Sequence, residues 1–283
     1  MIVCIVGPTG VGKTKLSVEL AKYLNAIVVN GDSMQVYKEL NIGTAKVTEE
    51  EKEDIPHLLF DIKEVNEMYT VYDYQKDLRN ILDSNKDKNI VIVGGTGLYI
   101  KAGLYNYVFE EESNNNTYDE LTNDELYDLV LKKDKHTLIH KNNRKRMIRF
   151  LNKKETIEDK NNLLYNVKFI GLTTSRDKLY ERINLRVDKM VEDGLLEEVK
   201  NLYDRNIRSK SIMTGIGYKE LYEYFDGNTT LEESLELIKQ RSRKYAKRQY
   251  TWFNNQMDVK WFDVDFNNFN NTIEEVKKYI EQN

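Results

Sequence analysis

The chain has 283 residues, 40% of them hydrophobic and 32% charged, with a formal net charge of −4. These values describe a soluble globular chain, long enough for one large domain or a core with an insertion, and they give no bulk positive charge for a nucleic acid, although local clusters can override the total. The single cysteine, Cys4, excludes an internal disulfide framework or a cysteine-rich zinc site.

In chain order, the first element is the apolar run "MIVCIV" at Met1, a strand that stops at Gly7-Pro8. No basic leader precedes it and no membrane-spanning run is visible, so the cytoplasm is the expected location. "TKLSVELAKYL" follows with Leu16, Leu20 and Leu24 one helical turn apart, which predicts an amphipathic helix. Further strands are expected at "AIVVN" (from Ala26), "NIVIVGG" (from Asn89), "VKFIGL" (from Val167) and "VKWFDV" (from Val259). The first four strands hardly alternate, as expected of strands buried on both faces. Strands separated by helical patterns argue for a parallel α/β sheet. No repeat of ~20–50 residues is present.

The rhythm breaks between residues 110 and 164. The segment opens on polar "EEESNNNTYDE" and continues through the basic, helical "LYDLVLKKDKHTLIHKNNRKRMIRFLNKKE". It reads as a helical insertion, with residues 1–109 and 165–283 forming a discontinuous core. Near the end, "DKMVEDGLLEEVKNLY" reads as two helices broken at Gly194. "NNFNNT" is expected as a linker before an amphipathic closing helix carrying Ile273, Val276 and Ile280. The charge run from Thr48, "TEEEKEDIP", reads as a solvated helix or flap, and the three histidines, His57, His136 and His140, form no convincing metal site.

Four constellations carry chemistry. Gly7-Pro-Thr-Gly-Val-Gly12-Lys13-Thr14 satisfies G-x-x-x-x-G-K-[ST] between a strand and a helix, the context that makes this pattern a phosphate loop. Its glycines let the backbone close on oxygens. The helix N-terminus offers N–H groups and a positive dipole end, Lys13 adds a point charge, and the Thr14 hydroxyl is placed for Mg²⁺. Asp32 follows the second strand and has three readings: holding Mg²⁺ through water, acting as a general base, or capping a turn. It lies beside the phosphate loop if those two strands are neighbours. Ser33, Gln35 and Tyr37 add polar groups at that rim. "VGGTG" ends the third strand, where ligands of open α/β sheets bind. It offers Thr96 but no acidic residue, which counts against a motor or switch ATPase. Two basic clusters complete the set. "KNNRKRMIR" carries Lys141, Arg144, Lys145, Arg146 and Arg149. "KQRSRKYAKRQYTWF" places Arg241, Lys244 and Arg248 on one helical face, beside Tyr250, Trp252 and Phe253. Basic residues interleaved with aromatics suit a phosphate backbone and stacked bases.

The ordered set "GPTGVGKT", "GDSMQVYKELNIGTAK", "PHLLFDI", "VGGTGLYIKA", "RINLRVDKMVEDGLLEEVKNL", "GIGYKEL" and "RKYAKRQYTWF" resembles the tRNA dimethylallyltransferase family across nearly the whole chain. The resemblance implies a P-loop NTPase-like parallel sheet with a helical tRNA-binding insertion. It implies that the loop holds the diphosphate of dimethylallyl diphosphate through Gly7, Thr9, Gly10, Gly12, Lys13 and Thr14, with Mg²⁺ as cofactor. Asp32 matches the family's base, which takes a proton from N6 of an adenine beside the anticodon. Thr96 matches a position contacting that nucleotide. Ser33, Met34 and Gln35 match a segment facing tRNA, as do Lys145, Arg146 and Arg149 of the insertion, Tyr218 and Lys219, and Lys247, Arg248, Gln249 and Trp252. The target base must leave its stack to reach such a site.

Val47 stands where the family often has proline after "GTAK". Thr214 stands where many members have an arginine before the "GY" dipeptide, with Arg243 or Arg248 as substitutes. The eukaryotic C-terminal zinc finger is not seen, which points to the bacterial form, and a monomer is the default. The rivals are a prenyltransferase acting on free AMP, ADP or ATP, a nucleotide kinase, and a P-loop nucleic-acid-binding protein without transferase chemistry.

Overall fold

The computed structural model describes residues 1–109, 118, 120–152 and 162–282. Six parallel strands form one sheet in the order β3-β2-β4-β1-β5-β6. They are β1 (Ile2–Val6), β2 (Ala26–Asn30), β3 (His57–Leu58), β4 (Asn89–Val93), β5 (Val167–Thr173) and β6 (Lys260–Asp263). Cys4 of β1 pairs with Ile92 of β4 on one side and Phe169 of β5 on the other. Alternate strand residues feed opposite faces. Cys4, Val29, Ile90, Ile92 and Phe169 enter one core, while Val3, Ile5, Val28, Val91 and Ile170 enter the other. Both faces are therefore covered, which is why the sequence of these strands is apolar throughout. Burial pushes the Cys4 thiol pKa well up, so it is an inert core group.

Helix α1 (Lys13–Leu24) covers the second core with Leu16 and Leu20, and Asn25 ends it in the left-handed conformation. On the other face lie α3 (Val71–Ser84), α4 (Gly97–Leu104), α8 (Leu195–Asp204) and α10 (Tyr218–Phe225). The short α2 (Glu49–Lys52) and α3 both start on a reciprocal capping box, from Thr48 to Glu51 and from Thr70 to Asp73. Helix α7 (Arg176–Glu192) ends before Gly194, whose φ of 102° lets α8 begin in a new direction. A five-residue α9 (Lys210–Thr214) leads into α10, and α11 (Leu231–Gln256) is the longest helix described.

Three expectations need adjustment. Strands β1 and β2 are not neighbours, because β4 lies between them. Asp32 and the phosphate loop still share one edge of the sheet, since all strands end there. Strand β3, inside "PHLLFDI", was not foreseen: it is two residues long, too short for any period. The closing helix α12 (Phe269–Gln282) starts within the expected linker. Asp265 Oδ1 accepts the N–H groups of Asn267 and Asn268 (3.0 and 3.1 Å) just before it.

The chain divides into two compact units, Met1–Tyr105 with Leu163–Asn283, and Asn106–Asn162. In the first, Tyr105 bridges Leu163 antiparallel, so the ends of the inserted stretch leave side by side. In the second, α5 (Asn123–Lys133) and α6 (Arg144–Asn152) enclose a small core of Leu126, Val130, Ile139 and Met147. The expected boundary at residue 110 and most of "EEESNNNTYDE" lie outside the described residues, as does "KKETIEDKN" after α6. No helix among the described residues is long and apolar enough to cross a membrane.

Candidate active site

A cleft of about 1140 Å³ opens at the C-terminal edge of the sheet, in the larger unit. Parallel sheets bind ligands at this edge. The phosphate loop forms its floor. Gly12 has φ 100°, a conformation open to glycine, and a Cβ there would stand 2.7 Å from the Phe269 ring. The first N–H groups of α1 have no helical partner and point into the cleft's anion end. Lys13 Nζ donates to Pro8 O at 2.8 Å. Burial pushes the Lys13 pKa down to about 7, helped by the Arg186 charge and opposed by Asp32.

Arg186, on α7, is the residue sequence reading missed. Its Nη1 donates to Thr9 Oγ1 at 2.6 Å. Burial lowers its pKa, and the Asp32 carboxylate raises it. Neither expected substitute for the family arginine does this. Arg243 bonds Asn184 Oδ1, Arg248 lines the cleft but lies over the Tyr245 ring (5.6 Å) without a bond to the phosphate loop among the described residues, and Thr214 turns its hydroxyl back to Lys210 O (2.7 Å). Arg186 sits in "RINLRVDKM", a stretch that carried family likeness but no local sign of a role.

Asp32 lines the same cleft as these cations. Its turn is built by Asn30, buried at the end of β2. Asn30 Oδ1 accepts Asp32 N–H at 2.8 Å and its amide donates to Asp32 O and Leu59 O. Asp32 Oδ1 accepts the Met34 N–H at 2.9 Å. Oδ2 accepts no hydrogen bond among the described residues and is left for a ligand. Of its three readings, the capping one accounts for one oxygen only. Thr96 Oγ1 accepts Ser33 N–H at 3.0 Å and donates to Ser33 Oγ at 3.2 Å, joining the ends of β4 and β2. The paired glycines after β4 are a packing demand: a Cβ on Gly94 would stand 2.1 Å from the Gly31 carbonyl carbon.

The other expected residues divide. Gln249, buried, accepts Thr9 N–H through Oε1 (2.9 Å) and donates to Gly95 O (3.0 Å), so it ties the phosphate loop to β4. Gln35 donates to Thr44 O and Ala45 O, a strut within the rim. Tyr218 is fully buried with its hydroxyl on Glu198, so it stands in the core and offers no face to a nucleic acid. Trp252 is half-buried, packed where a Cβ on Gly97 would be. Tyr245, not singled out by sequence, lines the cleft, and burial followed by the Asp32 charge raises its phenol pKa.

The basic runs also divide. On α11, Lys239 pairs with Asp188, Arg241 with Glu220, and Arg243 with Asn184. Lys244, Lys247 and Arg248 remain exposed. Arg241, Lys244 and Arg248 line a second cleft with Lys219 and Thr214, in keeping with their shared helical face. In the smaller unit, Arg144 is structural, donating to Leu121 O and Tyr118 O (2.6 and 2.8 Å), while Lys145, Arg146 and Arg149 are exposed.

For a metal, no cluster of three or more acidic, histidine or cysteine side chains exists among the described residues. Thr14 and Asp32 do line the same cleft. That donor set fits Mg²⁺, which is commonly held by one or two protein oxygens with substrate phosphates and water.

Fold and cleft define a P-loop α/β protein that sets a phosphate cradle and a carboxylate in one cleft. A family model described as IPP transferase matches residues 35–256. Curated proteins named tRNA dimethylallyltransferase are 49% identical, from Anoxybacillus flavithermus (covering 99% of this chain and 96% of the relative) and Bacillus subtilis (93% and 90%). The crystal structure of the full-length tRNA isopentenylpyrophosphate transferase of Bacillus halodurans aligns with a TM-score of 0.77 at 44% identity, covering 99% and 95% of the two chains. A eukaryotic dimethylallyltransferase acting on tRNA aligns at 0.82 and 27% identity, covering 99% of this chain and 79% of that one. The chain belongs to the IPP transferase family.

Proposed function

We propose that this protein transfers a dimethylallyl group from dimethylallyl diphosphate to N6 of the adenosine next to the anticodon in tRNA, releasing diphosphate. The observation that carries it is the set of charges lining one cleft: Lys13 and Arg186 at the phosphate loop, and the Asp32 carboxylate with one oxygen unclaimed among the described residues. A leaving diphosphate needs the cations, and an attacking amine needs the carboxylate.

The allylic C–O bond breaks as the N6–C bond forms. Negative charge grows on the diphosphate, where the N–H groups of α1, Lys13 and Arg186 stabilise it before any rearrangement of solvent. Asp32 Oδ2 accepts the proton that N6 gives up, while the Met34 N–H holds Oδ1 and fixes the carboxylate plane. Ser33, held by Thr96, forms the adjoining wall for the flipped base. Bound Mg²⁺, held by Thr14 and through water by Asp32, would add positive charge at the diphosphate oxygens. The exposed Lys145, Arg146 and Arg149 of α6, and Lys247 and Arg248 of α11, supply positive surface for tRNA phosphates, with Lys219 at the second cleft. We read the enzyme as monomeric and cytoplasmic.

The test is the Asp32→Ala variant. Turnover should fall ~10²–10⁴-fold with tRNA affinity nearly unchanged. A wild-type rate would remove Asp32 from the mechanism and favour a binding protein without transferase chemistry.

A further inference from the structure

One wall of the cleft, residues 41–46, is irregular backbone, with Ala45 at φ 46°. A distant carboxylate gives it its shape. Glu198, on α8, accepts through Oε2 the N–H groups of Asn41 (3.0 Å) and Ile42 (2.8 Å). Through Oε1 it accepts the N–H of Gly43 (3.0 Å) and the hydroxyl of Tyr218 (2.6 Å). Three successive N–H groups thus converge on one anion, the nest arrangement of backbone, and each bond is strengthened by the charge. The Tyr218 ring closes the site from behind. A Cβ on Gly43 would lie 2.7 Å from it, so only glycine fits there without a shift.

The next residue carries the consequence. The Thr44 carbonyl accepts the Gln35 amide (3.1 Å) and Arg186 Nη2 (3.5 Å). The other guanidinium nitrogen, Nη1, holds Thr9 Oγ1 of the phosphate loop. The orientation of Arg186 is therefore set on one side by the phosphate loop and on the other by a carbonyl that Gln35 and the backbone of residues 41–43 hold together. Lys46 anchors the far side of the segment by donating to Tyr37 O (2.7 Å), Asn41 Oδ1 (2.9 Å) and Asp61 Oδ1. That anchor acts on side chains and on the Tyr37 carbonyl, whereas the Glu198 nest holds the backbone N–H groups that lead directly into Thr44.

We infer that Glu198 is a positioning residue for the transfer reaction: by pinning the backbone of Asn41, Ile42 and Gly43 it holds the Thr44 carbonyl that aims Arg186 at the donor diphosphate. The inference rests on the reading that Arg186 and the phosphate loop hold that diphosphate. A carboxylate that merely glued α8 to the rim would lower melting temperature and weaken both substrates alike. A positioning carboxylate acts on the donor alone and acts through Arg186.

The experiment is steady-state prenyl transfer with dimethylallyl diphosphate and unmodified tRNA, using Glu198→Gln, Arg186→Lys, the double variant and Tyr218→Phe. Melting curves establish that each is folded. Glutamine keeps the size of the side chain but loses the charge and one acceptor. Glu198→Gln should raise the donor KM about tenfold, with the tRNA KM within about twofold. Tyr218→Phe, which removes one of the four bonds, should raise it about two- to threefold. In the Arg186→Lys background, Glu198→Gln should add less than about twofold, because residues acting as a unit are non-additive. Should Glu198→Gln fail to fold, Glu198→Asp replaces it, keeping the charge on a carboxylate too short to reach all four donors. An unchanged donor KM in a folded Glu198 variant, or full additivity with Arg186→Lys, overturns the inference. A normal donor KM in Arg186→Lys alone would instead overturn the diphosphate reading on which it rests.

Discussion

The cleft is bounded by two loops of similar length and opposite construction. Residues 7–14 form the phosphate loop, whose bend is set by its own glycines and by the helix it opens, with Gln249 and Arg186 fastening Thr9 from afar. Residues 41–46 form the facing wall, shaped by groups far away in sequence: Glu198 lies about 155 residues on, and Asp61 takes up Lys46. A loop whose bend is written in its own glycines can be recognised from a short motif. A loop held from outside looks, in sequence, like any polar turn.

The contrast is sharpened by perturbing each loop in its own way. The largest effect is expected at Lys46, the wall's far anchor. Lys46→Met would leave the Tyr37 carbonyl and the Asn41 amide without their buried donor, costing about 1–3 kcal/mol. Thermal melting reads this loss, and the half-exposed Asp61 keeps it from being larger. Next is Gly12→Ala in the phosphate loop. A left-handed conformation costs an L-residue about 1–2 kcal/mol, and the Phe269 ring must also move. Donor affinity, measured by titration, should fall about tenfold, while the fold survives. If Lys46→Met left the melting temperature unchanged, the claim that the wall is held from outside would be wrong. The smallest effect belongs to the exposed cations of α11. Removing Lys247 or Arg248 should flatten the log–log salt dependence of tRNA binding by about one unit each. Arg241→Ala, which breaks an internal pair with Glu220, should lower stability more than it changes the salt slope.

The same distinction governs how much of the molecule could be read from its sequence. The long strands were legible because Val and Ile runs buried on both sides leave a strong signal. β3 was not, since two residues carry no period, and its pairing of Val28 with His57 is decided by β2. The start of α12 was hidden because Phe269 sits among asparagines and is recruited by contact with Gly12. Within the cleft, the phosphate loop and Asp32 are legible by their position at strand ends, and so is Thr96, the group that braces Ser33 at the rim. Arg186 and Tyr245 were not, because they reach the cleft from helices whose registers only packing sets. The family resemblance implies tRNA-facing roles for Tyr218 and Gln249. The fold uses the first to brace Glu198 and the second to tie the phosphate loop to β4. On α11, six basic residues read as one cluster, but three of them are taken up by Asp188, Glu220 and Asn184.

The central claim is that one cleft joins a prenyl diphosphate to an adenine presented by tRNA. The most direct measurement mixes the protein with labelled dimethylallyl diphosphate, Mg²⁺ and either unmodified tRNA or free AMP. Label entering tRNA, and not AMP, is the predicted result. Label entering AMP alone, or ATP turnover with no transfer of label, would contradict the account.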